Sequence, residues 1–514
     1  MIIQPYKLGK KNEFSADIVI VGSGAGGSIA AAKLAEQGFS VIILEEGPYV
    51  DKSDFTQEEN TLVRKMYRRG GALATDDMSI RILQGKVFGG STTINWMNSF
   101  RTPDHVLEEW AVDYGLHEYL PEYMQPHFEQ IEQRMHIHEV PDSDHNQQNR
   151  IILDGAAELG IHADSCKNNS KNCIGCGKCG LGCAYDAKQD MRLTYLKDAQ
   201  EYDTTIYTSC KATEIKYISR DEQIVHAVVQ DGTDRTLIFQ ATRVIVAAGA
   251  IMSPLLLQQS GLANSKIVGN YLHLHPVLGS VGLYDRKIYP TYGIPMSAVS
   301  HELEDLTNGY GVWQEVPDLE VFLAGVNMPG TGFERKELMK QINNMGVILT
   351  LTRDGCSKKS AGSVKWMRGL NTKNGHFSLK KYPSIRYHWD PIDKEHALKG
   401  LQQAIELHFA AGATEVLPMH SKMFSIKSKE NIDSFFNLPM GPNQLSTFSA
   451  HPTGTVRMGM DRSKSAVDET MMLYPYPGIY VMDGSTLPTA PGVNPMVTIL
   501  GSVSRAIELG NLNL

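Results

Sequence analysis

No run in this 514-residue chain approaches the roughly 18 consecutive apolar residues of a membrane span. The opening, MIIQPYKLGKKNEF, holds neither an apolar core nor a small-residue cleavage site, so no secretory signal is expected there. That predicts a cytoplasmic protein, with export alongside a partner subunit left open. Excess basic charge is missing too. Scattered along the chain, 49 Lys and Arg stand against 57 Asp and Glu, and nucleic acid is not an expected partner. Internal repeats and low-complexity tracts are absent. Cysteine is scarce and odd in number, seven in all, five of them between Cys166 and Cys183. Such a set argues against a disulfide framework and points to thiols that hold metal. What remains is an ordinary globular composition, 42% hydrophobic and 21% charged, at a length that suggests two or three domains.

The most informative stretch is Asp17 to Gly47, DIVIVGSGAGGSIAAAKLAEQGFSVIILEEG. It reads as strand, glycine turn, helix and strand. Gly22 permits the tight turn, Gly24 clears the backbone for a pyrophosphate, and Gly27 lets the helix lie close to the sheet. Ser23 and Ala25 complete the turn. The helix N-terminus beyond them offers free N–H groups and the positive end of its dipole. Glu45 stands about twenty residues past the last glycine, where a ribose-binding carboxylate belongs. The run predicts a cofactor containing adenosine diphosphate, and leaves NAD and FAD both open.

Further along, Gly70 to Arg101 is loop-rich and carries a second glycine motif, GKVFGGSTTIN. A polar helical stretch follows from about Asp104 to Met135, anchored by Trp110, Tyr119 and Phe128. After the cysteines come a helix around Met191 to Glu201, alternating strands (TTIYTSCKATEIKYI, QIVHAVVQD), and a buried strand, RVIVAAGAI. The last leads into a helix, SPLLLQQSG, that stops at Gly261. From Pro276 to about Gly441 strand-like pieces (GYGVWQEV, LEVFLAGVNM, MGVILTLT) precede a helix from about Asp393 to Ala411. GIYVMDGSTLP and MVTILGSVSRAIELG then return to nucleotide-fold character. The expected class is α/β: a discontinuous Rossmann-like cofactor domain (1–103, 190–275 and 442–514), a helical, cysteine-rich insertion (104–189), and an α+β cap domain (276–441) on an antiparallel sheet.

Five segments, in order, resemble the signatures of the glucose–methanol–choline (GMC) family of flavin oxidoreductases. They are GKVFGGSTTINWM (Gly85–Met97), GAIMSPLLLQQSG (Gly249–Gly261), VGNYLHLHP (Val268–Pro276), SAHPTGTVRMG and DGSTLPTAPGVNPMVTI. The likeness spans nearly the whole chain. It implies FAD rather than NAD, and oxidation of an alcohol to a carbonyl. It also implies flavin contacts from Gly89, Gly90, Ser91 and Asn95, and ribityl–pyrophosphate contacts from Asp483 and Gly484, with Ala212 in the same site. Some relatives bond a histidine of the first signature to the flavin; the corresponding position here is Ile94, so FAD is expected without a covalent link. His451 matches the family's catalytic histidine, and imidazole is the side chain best poised as a base near pH 7. Asn494 matches a second position that is histidine or asparagine across the family. An amide is no base, so its expected role is to orient the substrate hydroxyl.

CIGCGKCGLGC, Cys173 to Cys183, has the C-x₂-C-x₂-C-x₃-C spacing of bacterial ferredoxins. Cys173, Cys176, Cys179 and Cys183 are therefore expected to hold a 4Fe-4S cluster. Ala184 replaces the usual proline and no second run exists, which leaves open a 3Fe-4S cluster and Cys166 as a ligand. Zinc on the same thiolates is the structural alternative. Some relatives, long-chain alcohol oxidases and sugar or polyol dehydrogenases, carry cysteines at this place. The resulting expectation is an alcohol dehydrogenase that passes electrons through the cluster to a protein or quinone. Two alternatives stand beside it: a sugar or polyol dehydrogenase with the same residues, and a flavin–iron–sulfur carrier without its own alcohol. Paired histidines at His136–His138 and His273–His275 show no carboxylate or cysteine partner in sequence and carry little metal character. Tyr289, Tyr292, Met296, Trp313, Phe322 and Met328 could line an apolar pocket, although such residues more often fill a core and so are weak evidence for a lipophilic substrate.

Overall fold

A computed structural model describes residues 1–304, 312–317, 328–355, 361–373 and 376–510. The fingerprint folds as its glycine spacing requires. Glu13–Val21 (β1) enters the turn, Ala25–Glu36 (α1) leaves it, and Val41–Leu44 (β2) returns beside β1. Further strands are Thr205–Tyr207 (β3), Cys210–Ser219 (β4), Glu222–Val229 (β5) and Thr236–Val246 (β6), and β6 feeds helix Gly249–Gln259 (α2). The first sheet runs Ile2–Ile3, β3, β2, β1, β6, β5, β4, with Ile479–Val481 also beside β6. Its pairs are parallel up to β6 and antiparallel through β5 and β4. This is a doubly wound sheet, whose ligand crevice lies beyond the carboxyl ends of the parallel strands.

Backbone contact there is too close for side chains. A Cβ on Gly22 would overlap the Ala247 carbonyl, one on Gly26 the Met482 carbonyl, and one on Gly27 the Gly22 carbonyl. Gly24 differs: the nearest atom to its hypothetical Cβ is Gly90 Cα, 4.0 Å away. Three of these glycines hold protein against protein, and Gly24 alone keeps space clear.

The second sheet is built from Val277–Leu283 (β7), Ala298–Leu303 (β8), Val312–Glu315 (β9) and Met345–Thr352 (β10). Its order is Ile80–Ile82, Thr447–Ser449, β7, β10, β9, β8, Asp164–Ser165, antiparallel except where Ile80–Ile82 joins. Period-two alternation divides its side chains. Leu278 and Ile348 pack against Ala397, Leu401 and Ala404 of helix Pro391–Ala410 (α3), while Val277, Leu349, Leu351 and Trp313 face the other way.

Strands thus cross the boundaries expected from sequence. Ile80–Ile82 and Thr447–Ser449, from segments assigned to the cofactor domain, and Asp164–Ser165, from the insertion, all pair into the cap sheet. The polar helical stretch divides at Gly115, whose φ of 72° ends helix Asp104–Tyr114 before helix Pro121–Arg134 begins. Trp110, Tyr119 and Phe128 are buried as expected, and they join the core of the first sheet. Most of LEVFLAGVNM, including Phe322, lies outside the described residues. Among the described residues no helix is long and apolar enough to cross a membrane.

Gly26→Ala is expected to destabilise the fold by more than the about 1–3 kcal/mol typical of overpacking, because the clashing atom is backbone. Gly9→Ala, with nothing within 4 Å, is expected to leave the melting temperature unchanged, and thermal denaturation of both checks this.

Candidate active site

One cavity opens beyond the carboxyl ends of β1 and β6. Its wall includes Gly22, Ser23, Gly24, Ala25, Glu45, Gly90, Ser91, Asn95 and Ala212, and also His451, Asp483, Gly484 and Asn494. Gly27 and Gly89, the other two residues expected at the cofactor, stand behind that wall. α1 begins at an N-cap, Gly24, that supplies no side-chain cap, so its first N–H groups stay free for a ligand. Hydrogen bonds join the two glycine loops: Gly89 N–H donates to Ser23 Oγ (3.0 Å), which donates to Glu45 Oε2 (2.6 Å). Glu45 also accepts from the N–H groups of Ser23 (3.0 Å) and Gly47 (2.6 Å). Burial raises its pKa. A carboxylate has about four acceptor sites, so room for a ribose hydroxyl remains. Asp483 does something else. It accepts from Gly249 N–H (2.8 Å), Ser253 Oγ (2.5 Å) and Ser485 N–H (2.8 Å), pinning the start of α2 to the strand end at Val481.

The opposite side of the cavity carries His451, two residues past strand Thr447–Ser449. Its Nδ1 lies 3.2 Å from Nδ1 of His275, a contact in which one ring donates and the other accepts. His275 is fully buried at φ 53°, a left-handed conformation. Its N–H donates to Asp354 Oδ1 (3.0 Å), and Leu274 N–H and Tyr387 OH donate to Oδ2 (2.9 and 2.6 Å). Although burial opposes it, His273 and these donors hold the Asp354 carboxyl at about 2. His273 Nδ1 is 3.7 Å from Asp354, a carboxylate partner that its sequence neighbourhood did not reveal. Burial lowers His451 to about 4 and His275 well below the usual histidine range. Apolar side chains, Trp96, Met252, Met296 and Met496, complete the wall beside Asn95 and Asn98. Of the other pocket candidates, Trp313 and Met328 are buried in the cap core, and Tyr289 and Tyr292 are exposed.

Family models match much of the chain. A GMC oxidoreductase model matches residues 63–277 and its C-terminal counterpart residues 370–502, while an FAD-binding domain model matches residues 17–55. The chain belongs to the GMC oxidoreductase family. It is 32% identical to a long-chain-alcohol oxidase of Arabidopsis thaliana, over 94% of this chain and 65% of that protein. It is 30% identical to an uncharacterised GMC-type oxidoreductase of Mycobacterium tuberculosis, over 94% of this chain and 74% of that one. The chain thus spans about two thirds of the length of the plant relatives it matches. Among solved structures, formate oxidase of Aspergillus oryzae superposes at a TM-score of 0.70 and 16% identity, covering 97% of this chain and 98% of that chain. A pyridoxine 4-oxidase does so at 0.68 and 16%, covering 97% and 99%. These GMC flavoenzyme folds share the mixed α/β architecture, and the cofactor site is an FAD site.

The cysteine loop sits against the GMC signature loop. Cys173, Cys176, Cys179 and Cys183 line one small pocket with Met97, Tyr185 and Lys188. Backbone N–H groups of Gly175, Ala187 and Lys188 donate to the sulfurs of Cys173 and Cys183 at 3.3–3.5 Å. Cys166 is elsewhere, fully buried in the cap core. Among the described residues no group of three or more His, Cys, Asp or Glu is disposed to hold a metal ion. His136 precedes, and His138 lies within, the short strand Ile137–Glu139.

Sequence reading missed Lys188. It is fully buried, and its ammonium donates to the carbonyls of Thr93 (2.8 Å), Asn95 (2.9 Å) and Cys179 (2.8 Å). All three of its protons are used, two on the signature loop and one on the cysteine loop. Burial lowers its pKa. Lys188→Met is expected to cost about 3 kcal/mol through the stranded carbonyls. The melting temperature and the flavin retained on gel filtration should both fall.

Proposed function

We propose that this chain is an FAD-dependent oxidoreductase that oxidises the CH–OH group of an alcohol to a carbonyl. The observation that carries the reading is the His451–His275 pair, which shares one cavity with Asn494 and the glycine cradle. Bound FAD, held without a covalent link beside Ile94, would supply the acceptor for the hydride that leaves the carbinol carbon.

For His451 to act as a base, its Nδ1–H donates to His275 Nδ1, which leaves the Nε2 lone pair for the substrate hydroxyl. The low pKa of His451, set by burial, keeps it neutral through the physiological range. Asp354 fixes the left-handed turn that presents the His275 ring to His451. Asn494 holds the substrate oxygen, and Trp96, Met252 and Met296 exclude water from the carbinol carbon. That apolar wall and the plant relatives support a lipophilic, long-chain alcohol over a sugar or polyol. A bare electron carrier would need neither the histidine pair nor Asn494.

We further propose that Cys173, Cys176, Cys179 and Cys183 would hold an iron–sulfur cluster (4Fe-4S or 3Fe-4S), whose chemistry is one-electron transfer. Their ferredoxin spacing, shared pocket and N–H···S contacts support this, and the burial of Cys166 in the cap core argues against it as a ligand. The acceptor would then be a protein or quinone. The relatives' description as oxidases favours a second reading, in which molecular oxygen is the acceptor and peroxide forms.

Anaerobic addition of a long-chain primary alcohol is expected to bleach the yellow flavin absorbance. No response to any alcohol, sterol or sugar would overturn the reading. His451→Ala is expected to keep its FAD and lose about 10²–10⁴-fold in the rate of flavin reduction. Protonation of His451 removes the acceptor lone pair, so kcat/KM should hold steady through neutral pH and fall only as pH drops toward about 4. Iron and acid-labile sulfide should accompany the purified protein, and zinc without iron would remove the cluster.

A further inference from the structure

Glu46 stands two residues past β2, next to Glu45, and gathers three cations. Arg68 Nη2 lies 2.9 Å from its Oε2, while Lys211 Nζ and Lys86 Nζ lie 3.5 and 3.8 Å from its Oε1. Backbone bonds bring them there from three separate segments. Arg68 N–H donates to the Gln84 carbonyl (2.8 Å) and Lys86 N–H to the Met66 carbonyl (2.7 Å), which sets the two side by side. Cys210 N–H donates to the Glu45 carbonyl (2.8 Å), and Lys211 follows it in β4. Although burial opposes it, Arg68, Lys211 and Lys86 hold the Glu46 carboxyl at about 2. Among the described residues, Glu46 is the only carboxylate in an ion pair with any of the three, so positive charge is left in excess.

Glu46, Arg68 and Lys211 all line the cavity. Glu45 and the turn at Gly24 mark this end of it for the adenosine diphosphate part of FAD. Charge on the wall is scarce in one sign. Its carboxylates are Glu45, Glu46 and Asp483, whereas Arg68 and Lys211 are its only basic side chains among the described residues. FAD brings an anionic diphosphate into that wall, in a chain whose net charge is −8. The free N–H groups at the start of α1 answer it with partial charge alone. Full counter-charge comes from the cations around Glu46.

We propose that Glu46 is a positioning residue that gathers Arg68 and Lys211 into a cationic clamp for the adenosine diphosphate part of FAD. The inference concerns the anchoring end of the cofactor and stands apart from the roles given to His451 and Asn494. Arg68 and Lys211 draw the diphosphate in, which uncharged glycine turns cannot do at a distance. Left alone, the two cations would repel each other and spread into solvent; the carboxylate between them prevents it. Lys86 belongs to GKVFGG, so the same carboxylate also draws the signature loop toward the anchoring end.

Dilution of the holoenzyme into rising salt, with released FAD read by its fluorescence, tests the clamp. For the wild type, the Kd of FAD should rise about 10-fold between about 0.05 and 0.5 M sodium chloride, as the partly exposed cations are screened. Arg68→Met and Lys211→Met should each weaken FAD by about 10-fold at low salt and flatten that dependence. Lys211→Arg keeps the charge and should stay within about 3-fold of wild type. Glu46→Gln separates gathering from bare charge. It makes this wall more positive, yet FAD should bind about 10-fold more weakly because the cations are no longer held together. Tighter or unchanged binding in E46Q would overturn the proposal. So would variants that melt earlier but keep the wild-type salt dependence, which is the behaviour of an ion-pair network serving the fold alone. Lys211, with 36% of its side chain exposed, decides the matter if R68M does not fold.

Discussion

The closeness of backbone to backbone at the mouth of the first sheet is the constraint on which the site depends. Gly22 and Gly26 lie where any side chain would strike the carbonyls of Ala247 and Met482, at the ends of two other parallel strands. Three chain segments far apart in sequence therefore converge on one point, and α1 starts there with its N–H groups free. A second glycine pair, Gly89–Gly90, closes on the first, since a Cβ on Gly90 would strike Gly24. The first glycine turn and the signature loop thus form one surface, held by the relay from Gly89 through Ser23 to Glu45.

Polar groups buried around this surface fall into an order. Side chains expected to touch a ligand are held by others that do not. Asp354 holds the turn of His275, which holds His451, and Lys188 holds the signature loop at Thr93 and Asn95. Buried bonds of this kind resist rearrangement, because breaking any one strands a polar atom away from water. The functional groups sit on strand ends and capped turns, with little freedom to drift.

The groups that line the cavity were legible in sequence, because a glycine turn, a signature loop and a histidine in SAHPTG leave local marks. Those that face other residues left none. Lys188 meets Thr93 and Asn95 across more than ninety positions, and nothing in AKQDMR marks a lysine that caps carbonyls. His275 was legible only as half of a histidine pair with little metal character, and its contact with His451 was not legible, since it takes the pairing of β7 with Thr447–Ser449 and the bridge of His273 to Thr453 to bring them together. Tyr289 and Tyr292 read as pocket or, more often, core residues and are exposed, because composition cannot tell which face of a loop an aromatic ring will take. Strand pairing across the expected domain limits was not legible for a similar reason: Ile80–Ile82 carries no mark of the distant sheet it joins.

That borrowing of strands has a mechanical outcome. Ile80–Ile82 and Thr447–Ser449 leave the flavin portion, pair within the cap sheet and return, so the two halves of the molecule are stitched through shared ladders rather than joined by a linker. Swinging them apart would tear hydrogen bonds in the sheet itself. His451, carried just past one of these stitches, is thereby tied to the same ladders that join the two halves.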